Sequence, residues 1–372
     1  MMFSNPEPLL EQAIILQGSA AYPLLAPRGV CLAGGHLLVS DTGQNRVFIW
    51  KNIAHRPSQS APDLVLGQSD AAQTGRNAGA QAGPDTLQYP SGIWSDGARL
   101  IVADAWNHRV LIWHQWPTQN GQAADVVLGQ PDFAQNQPNV KGLAHPPSAQ
   151  SLYWCYGVFS DGQHLWIADT GNRRVLYFDQ IPTRSYTPAD RVIGQPQFNT
   201  RDYDPQNALW PYSVRVSPDG KMAIADTQYY RVLLWHRASE AFQKPADRIL
   251  GQADFEQNGQ NQYLPHPEAH TLSWCYDTFF YREGLLVADT GNSRLLFYPE
   301  LPPQSGAPAQ KVLGKPDFRT GSENEASKTS TVHSLYWPFS LSIDGGLLAI
   351  ADTGNHRVIL SKINTLGLDT QS

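Results

Sequence analysis

Cysteine is scarce in this chain, charge is sparse, and no long apolar run occurs. Only Cys31, Cys155 and Cys275 are present among 372 residues. An odd trio builds no disulfide framework and fits a reducing compartment. Charged residues make up 16% of the chain and the net charge is −6. With Lys and Arg scattered, the basic footprint that neutralises a phosphate backbone is missing, so nucleic acid is not an expected partner. No apolar run approaches the roughly 20 residues that span a bilayer. The opening MMFSNPEPLLEQAIILQG lacks the positive segment and small-residue cleavage site of a signal peptide. The expectation is a soluble, cytoplasmic, monomeric protein that avoids membranes. No P-loop, dinucleotide fingerprint or Ser-His-Asp motif points to a familiar reaction class.

What the chain does have is glycine (30), proline (28) and 10% aromatic residues, the composition of an all-β protein with many turns. One string recurs six times: LLVSDTGQNRVFIW from Leu37, LIVADAWNHRVLIW from Leu100, LWIADTGNRRVLYF from Leu165, MAIADTQYYRVLLW from Met222, LLVADTGNSRLLFY from Leu285 and LAIADTGNHRVILS from Leu348. Each copy reads as strand, tight turn, strand. The period is about 60 residues, which suits one four-stranded blade per repeat. The fold expected is a six-bladed β-propeller of antiparallel blades, a single domain over residues 1–372. Asp41, Asp104, Asp169, Asp226, Asp289 and Asp352 each precede an Arg by five residues: Arg46, Arg109, Arg174, Arg231, Arg294 and Arg357. A pair present in every repeat is read as the tie of the turn, not as chemistry.

Five Gly-Gln-type strands, ending at Gly67, Gly129, Gly194, Gly251 and Gly314, serve six hairpins. The apolar AIILQG at residues 13–18 has no local partner and is expected to complete blade six and shut the ring, leaving 363–372 as a tail. Long polar loops follow the Gly-Gln strands. In up-and-down blades they emerge on the same face as the Asp-Thr-Gly turns, which marks that face as the functional surface.

The repeated ADTGNHRV, preceded by an inner strand such as Pro90-Ser91-Gly92-Ile93, resembles the NHL repeat over nearly the whole chain. The resemblance implies a six-bladed propeller. It leaves activity open, because that family includes RNA-binding domains, kinase sensor domains and a zinc-dependent lyase. The acidic balance argues against RNA. Where the lyase family places zinc-binding histidines, this chain has Arg28, Ser91, Tyr156, Tyr212, Tyr276 and Phe339, so lyase chemistry is not implied.

Function is then sought where the repeats differ. Inner strands begin at Pro27, Pro90, Pro211 and Pro338 in four blades but at Cys155 and Cys275 in blades three and five. Each Cys reads as a small buried filler, with a reactive thiol or soft-metal ligand as the sharper reading. Five residues upstream of these positions stand Asp85, Gln150, Gln206, His270 and His333. His270 and His333 could converge with Cys155 and Cys275 as a nitrogen and sulfur set for Zn or Cu. Asp277, where other blades carry Gly or Ser, is a candidate base beside Cys275 and Cys155 as candidate nucleophiles. Tyr156, Tyr212, Tyr276 and Phe339 form a near-ring of aromatics at the axis, while Trp154, Trp210, Trp274 and Trp337 are expected mostly to pack between blades. Trp106, Tyr229 and Tyr230 sit on turns as candidate contact residues. The leading expectation is a non-catalytic module binding a protein, peptide or small-molecule ligand on the loop face. The alternative is an enzyme with a thiol and histidine site in the axial funnel.

Overall fold

The structure is a computed structural model that describes residues 13–205 and 208–368. Gln206 lies outside the described residues, as does the last part of the tail. The described chain forms six four-stranded antiparallel sheets arranged as a ring. Blade one comprises Gly29–Ala33, His36–Asp41, Arg46–Trp50 and Leu64–Leu66 from the axis outward. Blades two to five repeat the order, with inner strands Pro90–Ser95, Cys155–Ser160, Pro211–Val216 and Cys275–Tyr281. In blade six, Pro338–Asp344, Leu347–Asp352 and Arg357–Lys362 are completed by Ile14–Leu16, paired antiparallel through Ile14↔Leu360, Ile15↔Ile359 and Leu16↔Val358. The expected closure by residues 13–18 therefore holds, with pairing confined to three of them.

The strands run almost wholly apolar because each sheet is covered on both faces by its neighbours. Six clusters of buried side chains fill the six seams, one between each pair of adjacent blades. Leu16 is fully buried in the seam joining blades six and one, against Val30, Val39, Phe48 and Leu360. The closing strand thus adds both ladder hydrogen bonds and apolar burial where the ring would otherwise end in two open edges.

Two repeated devices fix the loop face. First, each Asp of the hairpin turn accepts the Nε–H of its Arg at 2.6 or 2.7 Å, with both side chains nearly inaccessible to water. The other carboxylate oxygen accepts a backbone N–H from the residue two before the entrance Pro or Cys, as at Leu25, Tyr153 and Tyr336, or in blade four from Trp210, immediately before Pro211. The guanidinium then donates to loop carbonyls on both sides of the blade: Arg174, for example, reaches Phe198, Ser148 and Ser151. Turn and loops are thereby bound together on one side of the ring. Second, the Gly of each Gly-Gln strand end has positive φ, 84° at Gly67 and 89° at Gly129, and a Cβ at Gly129 would stand 2.5 Å from Leu152 of the next blade. Only glycine meets both demands.

Truncating the closing strand tests the ring. Leu16→Ala should lower unfolding free energy by about 3 kcal/mol, the typical cost of removing a fully buried Leu. The check is urea denaturation followed by far-UV circular dichroism. A loss under about 0.5 kcal/mol, ordinary for a surface change, would show that the closing strand takes no part in the cooperative unit.

Candidate functional site

The side chains that follow the inner-strand Pro or Cys meet at the axis. Tyr156 stacks on Tyr212 with centroids 4.9 Å apart. Tyr212 meets Tyr276 edge-on at 4.3 Å, and Tyr276 meets Phe339 at 4.2 Å. The near-ring expected from the sequence is therefore one contiguous aromatic group drawn from blades three, four, five and six. Blade one contributes Arg28, whose guanidinium carbon lies 4.2 Å from the Phe339 ring centre and 5.2 Å from that of Tyr89. Its Nη1 donates to the Tyr212 hydroxyl at 3.3 Å. Blade two adds Tyr89, stacked at 4.3 Å on Trp106. Six blades thus supply one network, with Arg28 within it and the exposed Arg76 at its edge, 5.9 Å from the Trp106 ring.

Around this floor stands an aromatic rim with an unusual backbone. Tyr89, Trp154, Trp274 and Trp337, each immediately before an inner-strand Pro or Cys, have φ of 56°, 50°, 48° and 52°, and Ala26 of blade one has 48°. A bulky residue in the left-handed region is strained by about 1 kcal/mol or more, and a residue before proline ordinarily takes an extended backbone. The turn residue of the preceding blade holds the conformation in place. Asn45 accepts the Tyr89 N–H at 3.0 Å, His108 Nδ1 the Trp154 N–H at 3.2 Å, Ser293 the Trp337 N–H at 3.3 Å, and His356 Nδ1 the Ala26 N–H at 3.1 Å. The left-handed backbone throws these side chains up onto the loop face. Trp154 and Trp337 are 37% and 43% exposed, and Trp106 on its turn is 38% exposed. The expectation that such tryptophans pack between blades is corrected at Trp154 and Trp337 for this reason.

The candidate reactive groups are placed elsewhere. Cys155 lies in the seam between blades two and three and Cys275 in the seam between blades four and five, both with no exposure. Each thiol donates to a backbone carbonyl of the preceding blade, Cys155 to Arg109 and Cys275 to Arg231. Burial pushes both thiols well above their ordinary range and Cys31 up to about 11, so none is a thiolate nucleophile at neutral pH. Asp277 is 2% exposed and is spent as a clamp across three blades: it pairs with Arg215 at 2.8 Å, and accepts from the Ser340 hydroxyl and the Leu341 N–H. His333 is exposed on its loop, and His270 is half-buried on another. No group of three His, Cys, Asp or Glu side chains suited to a metal ion occurs among the described residues. The Zn or Cu set of His270, His333, Cys155 and Cys275 does not come together, because the two thiols sit in different seams.

Of the turn aromatics, Trp106 is on the rim. Tyr230 is half-buried and meets Trp274 edge-on at 5.1 Å. Tyr229 turns inward, 9% exposed and 5.2 Å above the Arg231 guanidinium. The reason lies in the other blades. Asn107, Asn172, Asn292 and Asn355 exchange amide hydrogen bonds with Asn77, Asn139, Asn261 and Asn324 of the preceding loop. Blade four has a shorter loop and, among the described residues, no such Asn pair, and Tyr229 takes the place of the clasp. A crevice of about 270 Å³ opens nearby between blades three and four, lined by Leu209, Leu233, Trp235 and Phe242 with Arg231. Sequence reasoning passed over Arg28 and Tyr89. The signal for Arg28 was present, since it is the one charged residue among six ring positions; Tyr89 could be found only through its left-handed backbone.

Two measurements check this placement. His108 is buried, which pulls its pKa down to about 4, so in acid the unfolded chain takes up the proton first. The stability His108 contributes is complete above about pH 6.5 and falls by about 3 kcal/mol as pH drops to about 4. His108→Asn, which installs the Asn45 arrangement, should flatten that limb by this amount relative to wild type; parallel pH profiles in thermal melts would contradict it. In Ellman titrations of native protein none of the three thiols should react on the minute scale, and all three should react in guanidinium.

No protein-family model matches the sequence, and no curated protein matches it. Among solved structures, the fold is similar to that of an auxiliary nutrient binding protein from Bacteroides thetaiotaomicron, with a TM-score of 0.51 and 11% identity over 91% of this chain and 69% of the other. Streptogramin B lyase (TM-score 0.49, 9% identity, 94% and 97% coverage) and hydrazine synthase of Kuenenia stuttgartiensis (0.48, 14%, 94% and 80%) score lower and carry no argument. At these identities the likeness concerns the fold alone.

Proposed function

We propose that this protein is an NHL-type propeller that binds a small ligand, without transforming it, at the axial mouth of its loop face. The observation that carries the reading is the assembly itself. Ring residues from five blades converge on one floor with Tyr89 of blade two beside them, and Trp154 and Trp337 are exposed beside it, held in a strained backbone by side chains of the neighbouring blade. Rigid, exposed tryptophans beside an aromatic floor are the residue type that gives ligand contacts at low ordering cost. The free thiols suit a cytoplasmic setting.

The enzyme alternative lacks a matching geometry. Its thiols are buried and protonated, Asp277 is committed to Arg215, and the axial phenols are held protonated: burial drives Tyr156 and Tyr276 above their usual range. A general base or nucleophile near neutrality is therefore not offered at the axis.

The test is a ligand-detected NMR screen of neutral and charged ring fragments against the full chain. Hits should move the indole N–H signals of Trp106, Trp154 and Trp337 and return unchanged in composition. They should weaken about ten-fold or more in Trp154→Ala/Trp337→Ala, each stacked ring being worth about 0.5–1.5 kcal/mol. Hits indifferent to that double variant, or mapping to the crevice beside Phe242, would overturn the proposal.

A further inference from the structure

Among the described residues the guanidinium at the axis has no counter-ion. Arg28 forms one hydrogen bond, to the Tyr212 hydroxyl, although the group carries five N–H donors. Its Nε is buried and has no partner, and no Asp or Glu pairs with it among the described residues. The other arginines that lie deep in the ring are treated differently: Arg46, Arg109, Arg174, Arg231, Arg294 and Arg357 each hold an aspartate and several carbonyls, and Arg215 holds Asp277. Phe339 and Tyr89 supply cation–π attraction, which offsets part of the lost hydration but fills no donor. A half-buried cation placed among rings with a donor left over is arranged to receive an anion.

Resting on the axial-binding reading above, we infer that the ligand is a planar ring bearing one carboxylate, the carboxylate meeting the Arg28 fork and the ring lying against the tryptophan rim. The carboxylate fits the fork through two parallel N–H···O bonds. A flat ring matches Trp106, Trp154 and Trp337, whose exposed faces flank the mouth. The Tyr212 hydroxyl lies beside the guanidinium, from which it accepts a hydrogen bond, and burial holds the Tyr156 phenol in its neutral form. Arg28 is the cation held among the floor aromatics, while the exposed Arg76 stands 5.9 Å from the Trp106 ring at the rim, so the carboxylate is assigned to Arg28 and the ring to the indoles.

Calorimetric titration with 2-naphthoate, its neutral isostere 2-naphthamide and inorganic phosphate separates the possibilities. Wild type should bind 2-naphthoate at least ten-fold more tightly than 2-naphthamide, and phosphate alone more weakly than either. Arg28→Met should erase the preference for the acid while leaving the amide's affinity within about three-fold, and Arg28→Lys should restore part of it. Loss of preference needs no variant to be seen: equal affinity of wild type for acid and amide, both weakened by Trp154→Ala/Trp337→Ala, would overturn the anion inference while leaving the axial reading intact. Failure of both ring compounds to bind, or binding that ignores the tryptophan substitutions, would overturn both readings. Phosphate binding as tight as that of 2-naphthoate would overturn the requirement for a ring.

Discussion

The buried aspartate-to-arginine contact at the head of every blade is the constraint on which the rest of this ring depends. Burying two charges is expensive, and their attraction alone rarely offsets the lost hydration. Here the surplus donors and acceptors are filled by backbone groups. The carboxylate takes an N–H from the approach to its own inner strand, and the guanidinium takes carbonyls from the loops before and after the blade. Each pair therefore determines where three separate chain segments lie. Because these segments carry the rim and the floor, the geometry of the loop face is set by the most deeply buried polar groups in the molecule.

Against that shared frame, the departures acquire meaning by comparison within a single chain. Replacing Pro by Cys at two inner-strand entrances looks at first like chemistry, but the thiol only adds a hydrogen bond to the preceding blade, a bond proline cannot donate. Blade four loses an asparagine from its loop and another from its turn together, and Tyr229 fills the gap. That pair of changes behaves as one structural event, since either asparagine alone would leave a buried amide without its partner. Arg28 is different in kind. Among the described residues no carboxylate of a neighbouring blade pairs with it, and its Nε has no partner.

Much of this was legible in residue order. The six hairpins, the count of five Gly-Gln strands and the apolar segment near the N-terminus were enough to assign blade number, strand order and the closure of the ring, because each rests on a repeat period and on the rule that open edges are covered. The aromatic near-ring was legible too, since residues one place after equivalent strand starts must lie at equal depth. The orientation of side chains was not. Cys155 was placed at the axis by symmetry, yet alternation along a strand sends it to the seam while its neighbour Tyr156 faces the axis. Trp154 and Trp337 were assigned to the seams, yet a left-handed backbone lifts them to the rim. Asp277 looked available in sequence because its partner Arg215 is 62 residues away, a pairing that only the closed ring reveals.

The balance between binding and chemistry at the axis follows from how burial acts on each type of group. Phenols and thiols that lose water are driven toward their neutral, protonated forms, and Tyr156, Tyr276 and all three cysteines are of this kind. Arginine cannot escape by deprotonating. Enclosing it among rings leaves a permanent charge in a setting where few solvent dipoles reach it, so any anion that enters interacts more strongly than it would on an open surface. A site assembled from neutral hydroxyls, aromatic faces and one fixed cation has the means to hold and orient a ligand. Among the described residues at the axis, burial favours the protonated forms of Tyr156 and Tyr276, and that asymmetry between neutral hydroxyls and a fixed charge is what the binding proposal rests on.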